Sequence, residues 1–341
     1  MRVLFDLVHP ADALFFHHAI GKLEAKGAQL CIASRDKDVL PELLGELGHR
    51  HIELTQARSG LIGQARELVE RDIALFKLAR TWKPDVMAGF GGVAISHVGK
   101  LLGIPSVSFY DTEHAALQIR LTLPFISEWH VPQRWNGAQA KGRTFRFSGS
   151  KQFAYLHPDH FRPDPELAKS AGWDAAQDNF LIRTVAWQSN HDIGHSGMSL
   201  AQLRETVALL SARGKVHISA EGELPADLET MRITGKASAF HHLLAHCRLY
   251  WGESMTVASE ATALGVPAVL QNHLDCAYMT EQFEAGLARR HDPASDIANT
   301  LDAALREDQA HYRERAHRFA SASQDINAYI VDAISRAGGA A

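Results

Sequence analysis

The sequence predicts an α/β chain built as two parallel-sheet domains, and three observations predict it. Short apolar runs alternate with helical patterns of roughly 10–20 residues, the signature of βαβ units. The alternation stops in a proline-dense stretch, 148–178, and restarts at Phe180. The turn Leu102-Gly103-Ile104-Pro105 returns as Leu264-Gly265-Val266-Pro267, each time between a helix and a strand. That turn is also simply a good helix-to-strand connection, with Gly as left-handed cap and Pro opening the strand. At 341 residues and 37.5 kDa the chain has the length for two domains. The expected division is 1–150, a linker 151–178, and 179–341, each domain Rossmann-like.

The first half justifies this element by element. Residues 2–8 form a continuous apolar run, as in a strand buried on both faces, and His9-Pro10 breaks it. Helical spacing follows over 13–26 and ends at Gly27. A strand over 29–33, a helix over 39–47 and a short strand over 51–54 come next. A long helical pattern, 61–82, stops at Lys83-Pro84. Then come a strand over 85–90, Gly91-Gly92, a helix to Leu102, a strand over 105–110 and a last strand over 145–147. The clustered pairs His157-Pro158, Arg162-Pro163 and Asp164-Pro165 predict an extended linker.

In the second half, strands are predicted over 180–186, 216–220, 231–234, 248–251 and 268–270. Helices cover 200–213 and 254–264, and 294–337 is mostly helical. The segment 187–198 is polar enough to read as a long loop.

Composition narrows the function. Lys+Arg 35 against Asp+Glu 39 gives a net charge of −4, without the basic excess of a general nucleic-acid binder. Cys31, Cys247 and Cys276 lie far apart with no C-x-x-C spacing, so neither a disulfide framework nor a thiolate zinc site is expected. A reducing cytoplasm suits such cysteines. The opening MRVLFDLVHPAD is interrupted at Asp6 and lacks a small-residue cleavage site, so it does not read as a signal peptide. No uninterrupted apolar run is long enough for a membrane-spanning helix. The stretches 117–129 and 61–82 mix apolar residues with Arg and Lys and are candidates for peripheral bilayer contact, though core-facing helices look the same.

In open α/β sheets, ligands bind beyond the carboxyl ends of strands where the strand order reverses, expected here between the first and fourth strands of each half. In the second half those strands lead into 183–198 and 252–256. Gly252 permits close backbone approach, Ser254 and Thr256 bring hydroxyls, and the helix start that follows attracts phosphate. Glu260, further along that helix, suits a ribose diol. Arg183 and the cluster His191, Asp192 and His195 face the same crevice. Together they suit a nucleoside diphosphate. The bland alternatives are that Ser254 only caps its helix and that Glu260 is a solvated surface residue. His191 and His195 are four apart but bracket a Gly in a loop, so no metal site is expected. A dinucleotide fold would carry G-x-G-x-x-G after a first strand, and His9-Pro10-Ala11-Asp12 stands there instead. There is no G-x-x-x-x-G-K-[ST] for phosphoryl transfer. In the first half, His9, Gly91-Gly92 and Asp111-Thr112-Glu113-His114 collect at strand ends. A general base among His9, Asp111, Glu113 and His114 could take a proton from an acceptor hydroxyl, His9 first, with Asp111 or Glu113 orienting it or substituting for it. Alternatively Asp111 or Thr112 caps the next helix and Glu113 favours its dipole.

Several of these stretches resemble the prokaryotic family called domain of unknown function 354. They are Val8-His9-Pro10, Phe15-Phe16, Asp111-Thr112-Glu113-His114, His191-Asp192-x-Gly194-His195, Glu221-x-Glu223-Leu224-Pro225 and Met255-Thr256-x-x-x-Glu260-Ala261. The resemblance runs from residue 1 to about 290. That family is similar in turn to GT-B glycosyltransferases and to non-hydrolysing UDP-N-acetylglucosamine 2-epimerases. The resemblance implies a GT-B fold, two Rossmann-like domains facing an interdomain cleft. It implies a nucleotide-sugar donor in the C-terminal domain and a role in surface polysaccharide or glycolipid synthesis. In those relatives a Gly/Ser-rich helix start holds the diphosphate and a Glu along the helix holds the ribose, a pattern matched by Gly252, Ser254, Met255, Thr256 and Glu260. Glu253 departs from it, standing where a second Gly is common.

These readings make the expected function glycosyl transfer from a nucleotide diphosphate sugar, most simply UDP-linked, to a glycan or lipid-linked acceptor. No metal or other cofactor is required, and no nucleic acid is involved. The donor is expected to contact Arg183, His191, Asp192, His195, Glu221, Gly252, Ser254, Met255, Thr256 and Glu260. The alternatives are a UDP-sugar epimerase and a non-catalytic nucleotide-sugar-binding protein, the latter favoured by Glu253. The expected location is cytoplasmic, with peripheral attachment to the inner face of the membrane as an option.

Overall fold

The apolar run after Met1 forms β1 (Arg2–Leu7), the strand around which the first sheet is ordered. A computed structural model describes residues 1–185, 198–292 and 294–339. They divide into two units, Met1–Tyr155 with Ser323–Ala341, and Leu156–Ala322.

The first unit carries β1, β2 (Gln29–Asp36), β3 (Ile52–Gln56), β4 (Val86–Phe90), β5 (Ser106–Phe109), β6 (Glu128–Pro132) and β7 (Thr144–Phe147). They make one parallel sheet in the order β3-β2-β1-β4-β5-β6-β7. The order reverses between β1 and β4, as expected. β1 and β4 are buried along nearly their whole length, which explains why they read as apolar runs, broken in β1 only by Arg2 at its start and the buried Asp6. The helix Pro10–Ala25 lays Phe15 and Phe16 on the sheet, with ring centroids 5.2 Å apart for Phe15–Phe90 and for Phe5–Phe16. His9-Pro10 is less a break than a helix start: His9 is the N-cap and Pro10 the first helical residue, where its missing N–H costs nothing.

The helix Gly60–Trp82 buries Glu67 and Arg71 beside Leu75 and Ala79. Arg71 pairs with Asp6 on β1 and donates to Ser34 O (3.0 Å) and Thr55 Oγ1 (3.1 Å). Glu67 pairs with Arg35 and accepts the Arg58 amide at 3.0 Å. Buried charges persist only when paired in this way.

The second unit contains β8 (Asn179–Thr184), β9 (Lys215–Ala220), β10 (Leu249–Gly252), β11 (Ala268–Leu270) and β12 (Ala288–Arg290). Its parallel sheet runs β12-β11-β10-β8-β9. β8 and β10 are neighbours on either side of the reversal, so the expected crevice-forming pair is correct.

Four expectations change. Residues 231–234 are not a strand: Met231 ends a 3₁₀ turn, and Arg232 makes one isolated bridge to Ile218. The Arg232 guanidinium is drawn to Ala220 O and Gly222 O instead, so the segment only brushes the edge of β9. β6 and β12 are additional strands. β6 hides its signal because Glu128 and His130 look solvent-facing, yet His130 is buried, 2.9 Å from Glu128 and 2.7 Å from Tyr329 Oη. The proline-dense stretch includes the helix Pro165–Ser170, capped by Asp164 on the Glu166 amide (2.8 Å). Finally, the last helix, Ile326–Ala337, packs with the first unit rather than with residues 179–322. Asn327 donates to Ala154 O (2.9 Å) and Arg336 to Glu128 (2.9 Å).

Candidate functional site

β10 ends in Gly252, which lies across from Arg183 on β8. A Cβ on Gly252 would stand 2.6 Å from both Arg183 O and Tyr250 Oη, so only glycine lets these strands meet. Arg183 is held at the end of β8 by Ser219 Oγ and Glu221 Oε1, each at 2.6 Å. The helix Met255–Ala263 begins at once. Ser254 is its N-cap and accepts the Val257 amide (3.3 Å), so the capping role is real. The amides of Met255 and Thr256 sit in the first turn, where a helix offers no carbonyl of its own. The side chain of Met255 is part-buried beside Cys276, sulfur to sulfur 3.5 Å, in the unit's apolar core.

Glu253 is 2% exposed and turns back from the helix start. Its carboxylate accepts the amides of Val185 (2.9 Å) and Met198. It thereby ties together the residues on either side of 186–197. The cluster His191, Asp192 and His195 lies in that stretch, outside the described residues.

Glu260 is not a solvated surface group. It is buried, with Oε1 3.2 Å from His241 Nε2. His242 and His246, four apart in the chain, are engaged locally: His242 accepts the Asp164 amide (2.8 Å), and His246 Nδ1 lies 2.8 Å from His242 O.

In the first unit, His9 is exposed and its Nδ1 accepts the Ala11 amide (3.2 Å), which puts the ring proton of a neutral His9 on Nε2. Asp111 is 1% exposed, with Lys151 Nζ at 3.1 Å and Thr112 Oγ1 at 3.0 Å. Neither Asp111 nor Thr112 caps the next helix: Ala116–Thr122 follows Ala115 and has no side-chain cap. Glu113 and His114 are half-buried beside them.

Two members of this cluster escaped the sequence reading. Lys151 fell in the expected linker, yet it is buried, pairs with Asp111 and lies 4.8 Å from the Phe90 ring centroid. Asp12 is buried at the end of β1, accepting the amides of Val8 (2.9 Å) and His9 (3.0 Å). Its spacing three residues after the N-cap is a capping-box signal that was there to be read. Burial pushes the Asp12 carboxyl up to about 7, against the opposing pull of those amides and of Lys151. The folded chain therefore holds a proton on Asp12 at pH values where the unfolded carboxyl has lost it. Stability from this group is full below about pH 4 and falls as pH rises towards 7, by up to about 1.4 kcal/mol per unit. Chemical denaturation at pH 4.5 and 7.5 should show a smaller loss across that interval in Asp12→Asn than in the parent. An equal loss in both would refute the assignment.

Among the described residues, no three His, Cys, Asp or Glu side chains are grouped to hold a metal ion. No helix among them is long and apolar enough to cross a membrane.

Two Rossmann-like parallel-sheet units, each with its polar cluster at the strand-order reversal, define a protein of the GT-B fold class. The chain belongs to the family described as protein of unknown function (DUF354), whose model matches residues 1–190, more than half of its length. It is 27% identical over 179 residues to the uncharacterized protein MJ0665 of Methanocaldococcus jannaschii, half of this chain matching about half (52%) of that relative's length. Among solved structures it is similar to the UDP-GlcNAc 2-epimerase of Methanocaldococcus jannaschii, with TM-score 0.69, 15% identity, and 98% and 100% of the two chains covered. It is similar also to the glycotransferase of kitacinnamycin, with TM-score 0.64, 15% identity, and 98% of each chain covered.

Proposed function

We propose that the chain is a nucleotide-sugar glycosyltransferase whose second unit binds a nucleoside diphosphate sugar, in the simplest case UDP-linked. The observation that carries this reading is the close approach at Gly252 directly before a helix start, with the buried carboxylate of Glu260 on the same helix. The diphosphate meets the first-turn amides and Ser254 Oγ, with Arg183 and Glu221 at the neighbouring strand end. Fixed dipoles and a guanidinium neutralise the charge that develops on the leaving diphosphate, a role that calls for no metal. Glu260 takes the ribose diol, sharing its carboxylate with His241. Met255 supports the helix start from behind. His191, Asp192 and His195 complete the donor contacts in this reading.

The first unit takes the acceptor, a glycan or lipid-linked glycan in surface polysaccharide or glycolipid assembly on the cytoplasmic side. Glu113 and His114, both half-buried, and His9 are the candidate proton acceptors there. The lone pair of His9 is spent on Ala11, so a base role for His9 needs the cap released first. Asp111, buried and paired to Lys151, orients its neighbours rather than meeting the acceptor.

Calorimetric titration with UDP tests the donor assignment. A carboxylate hydrogen bond is worth about 1.5–3 kcal/mol, so Glu260→Ala should weaken UDP roughly 10- to 100-fold. Equal affinities would sink the ribose assignment.

An epimerase reading has one specific support: Asp12, holding its proton to about pH 7 in the same first-unit cluster as Asp111 and Lys151, is suited to acid–base work on a sugar carbon. Incubating UDP-GlcNAc alone in heavy water separates the two. Deuterium in the sugar without an acceptor marks an epimerase. The non-catalytic reading loses its support, because the Glu253 carboxylate is engaged by two backbone amides rather than opposing a phosphate.

A further inference from the structure

The first half of the helix Gly60–Trp82 is inside out. Its buried face carries Glu67 and Arg71 ahead of Leu75 and Ala79, while its outward face reads Ile62, Arg66, Val69, Ile73, Lys77 and Arg80, with spacings of three and four residues and Glu70 at its flank. Ile62 is 87% exposed, and Val69 and Ile73 are more than half exposed. The neighbouring helix Val93–Leu102 adds Lys100 and Leu101, the latter 74% exposed, and contributes no acid. The next helix, Ala116–Thr122, adds Leu117 and Arg120, again without an acid. The carboxylates nearest the stripe are already engaged: Glu70 by Arg58 (3.1 Å) and Arg66 (2.9 Å), and Asp72 by His97 (2.7 Å). A groove between the first two of these helices is lined by Ile73, Phe76 and Leu101, by Lys77 and Arg80, and by the paired Asp72 and His97.

Core packing does not account for Ile62, Val69 and Ile73 in this position, since the inward side of that half of the helix carries Glu67 and Arg71. Net charge does not account for the cations either, since the chain as a whole stands at −4. We propose that this face of the first unit docks on an anionic phospholipid surface. Its Ile, Val and Leu side chains enter the headgroup layer, and Lys77, Arg80, Lys100 and Arg120 meet lipid phosphates. Apolar side chains interleaved with cations, with the flanking carboxylate Glu70 neutralised by Arg58 and Arg66, are what an interfacial helix presents to such a surface. The proposal does not depend on which sugar reaction the chain performs.

The test is flotation of the full chain with vesicles of phosphatidylcholine alone and with about 30% phosphatidylglycerol. The chain should float with the acidic vesicles and at least tenfold less with the neutral ones. Each cation contributes roughly fivefold near an anionic surface, so Lys77→Glu with Arg80→Glu and Lys100→Glu should lose binding by well over tenfold. Ile62→Ser with Ile73→Ser and Leu101→Ser should lose it too, at unchanged melting temperature, because these side chains are exposed. The proposal falls if the parent does not float with acidic vesicles, or if both triple variants float as it does. It also falls if the apolar variant instead converts a dimer to a monomer without any vesicle binding, which would give the face to a second copy of the chain. UDP affinity, measured on the same variants, should stay at the parent value, which keeps a failure here distinct from a failure of the donor site.

Discussion

Arg71→Met should destabilise the first unit by about 3–5 kcal/mol, read as a lower denaturant midpoint. The cost does not come from lost helix propensity, because both residues suit a helix. It comes from Asp6, which sits on the interior strand β1 with its side chain 3% exposed and loses its counter-charge. The same substitution also strips a donor from Ser34 O and from Thr55 Oγ1. Buried pairs are expensive to break and cheap to replace whole, so Asp6→Leu combined with Arg71→Met should recover a large part of the loss. Arg66→Met is the control: its partner Glu70 keeps Arg58 and stays part-exposed, so the change should stay below about 1 kcal/mol. A loss for Arg71→Met as small as that of Arg66→Met would mean that the pair is solvated rather than buried.

Gly252→Val should abolish UDP binding and cost the second unit about 1–3 kcal/mol. The new Cβ would meet a backbone oxygen, Arg183 O, at 2.6 Å, and a backbone atom cannot step aside as a flexible side-chain tip can. The only relief is to part β8 from β10 where Gly252 pairs with Arg183. That moves the Arg183 guanidinium and the helix start together, the two cationic features proposed to hold the diphosphate. The comparison variant is Gly21→Ala, in a helix of the other unit with open space around it, which should leave both stability and UDP affinity near the parent values. Parent-like UDP affinity in Gly252→Val would place the nucleotide elsewhere.

Much of the architecture was legible because backbone physics writes it locally. β1 and β4 are buried on both faces and so read as apolar runs, with Asp6 the one interior exception. Gly103 and Gly265 adopt positive φ where a helix must turn back into a strand, so the two matching turns are visible in the chain. Gly252 and the helix start after it were legible for a similar reason: a close backbone approach admits one residue type. What stayed hidden was the pairing of polar side chains. Lys151 looked like linker, since nothing local links it to Asp111, 40 residues earlier. Glu253 looked like an obstacle to phosphate, because only the fold brings Val185 and Met198 to its carboxylate. The His241–Glu260 contact and the inverted burial of the helix Gly60–Trp82 belong to the same group.

The sequence by itself therefore determined the α/β class, the two parallel sheets, the glycine at the strand-end approach and the helix that follows it. These follow from hydrophobic period and φ preference, which act over a few residues. Only the tertiary structure decided which charges are buried with which partners, and that the last helix returns to the first unit. Electrostatic pairing and side-chain packing depend on distances through space, and separation along the chain does not encode them.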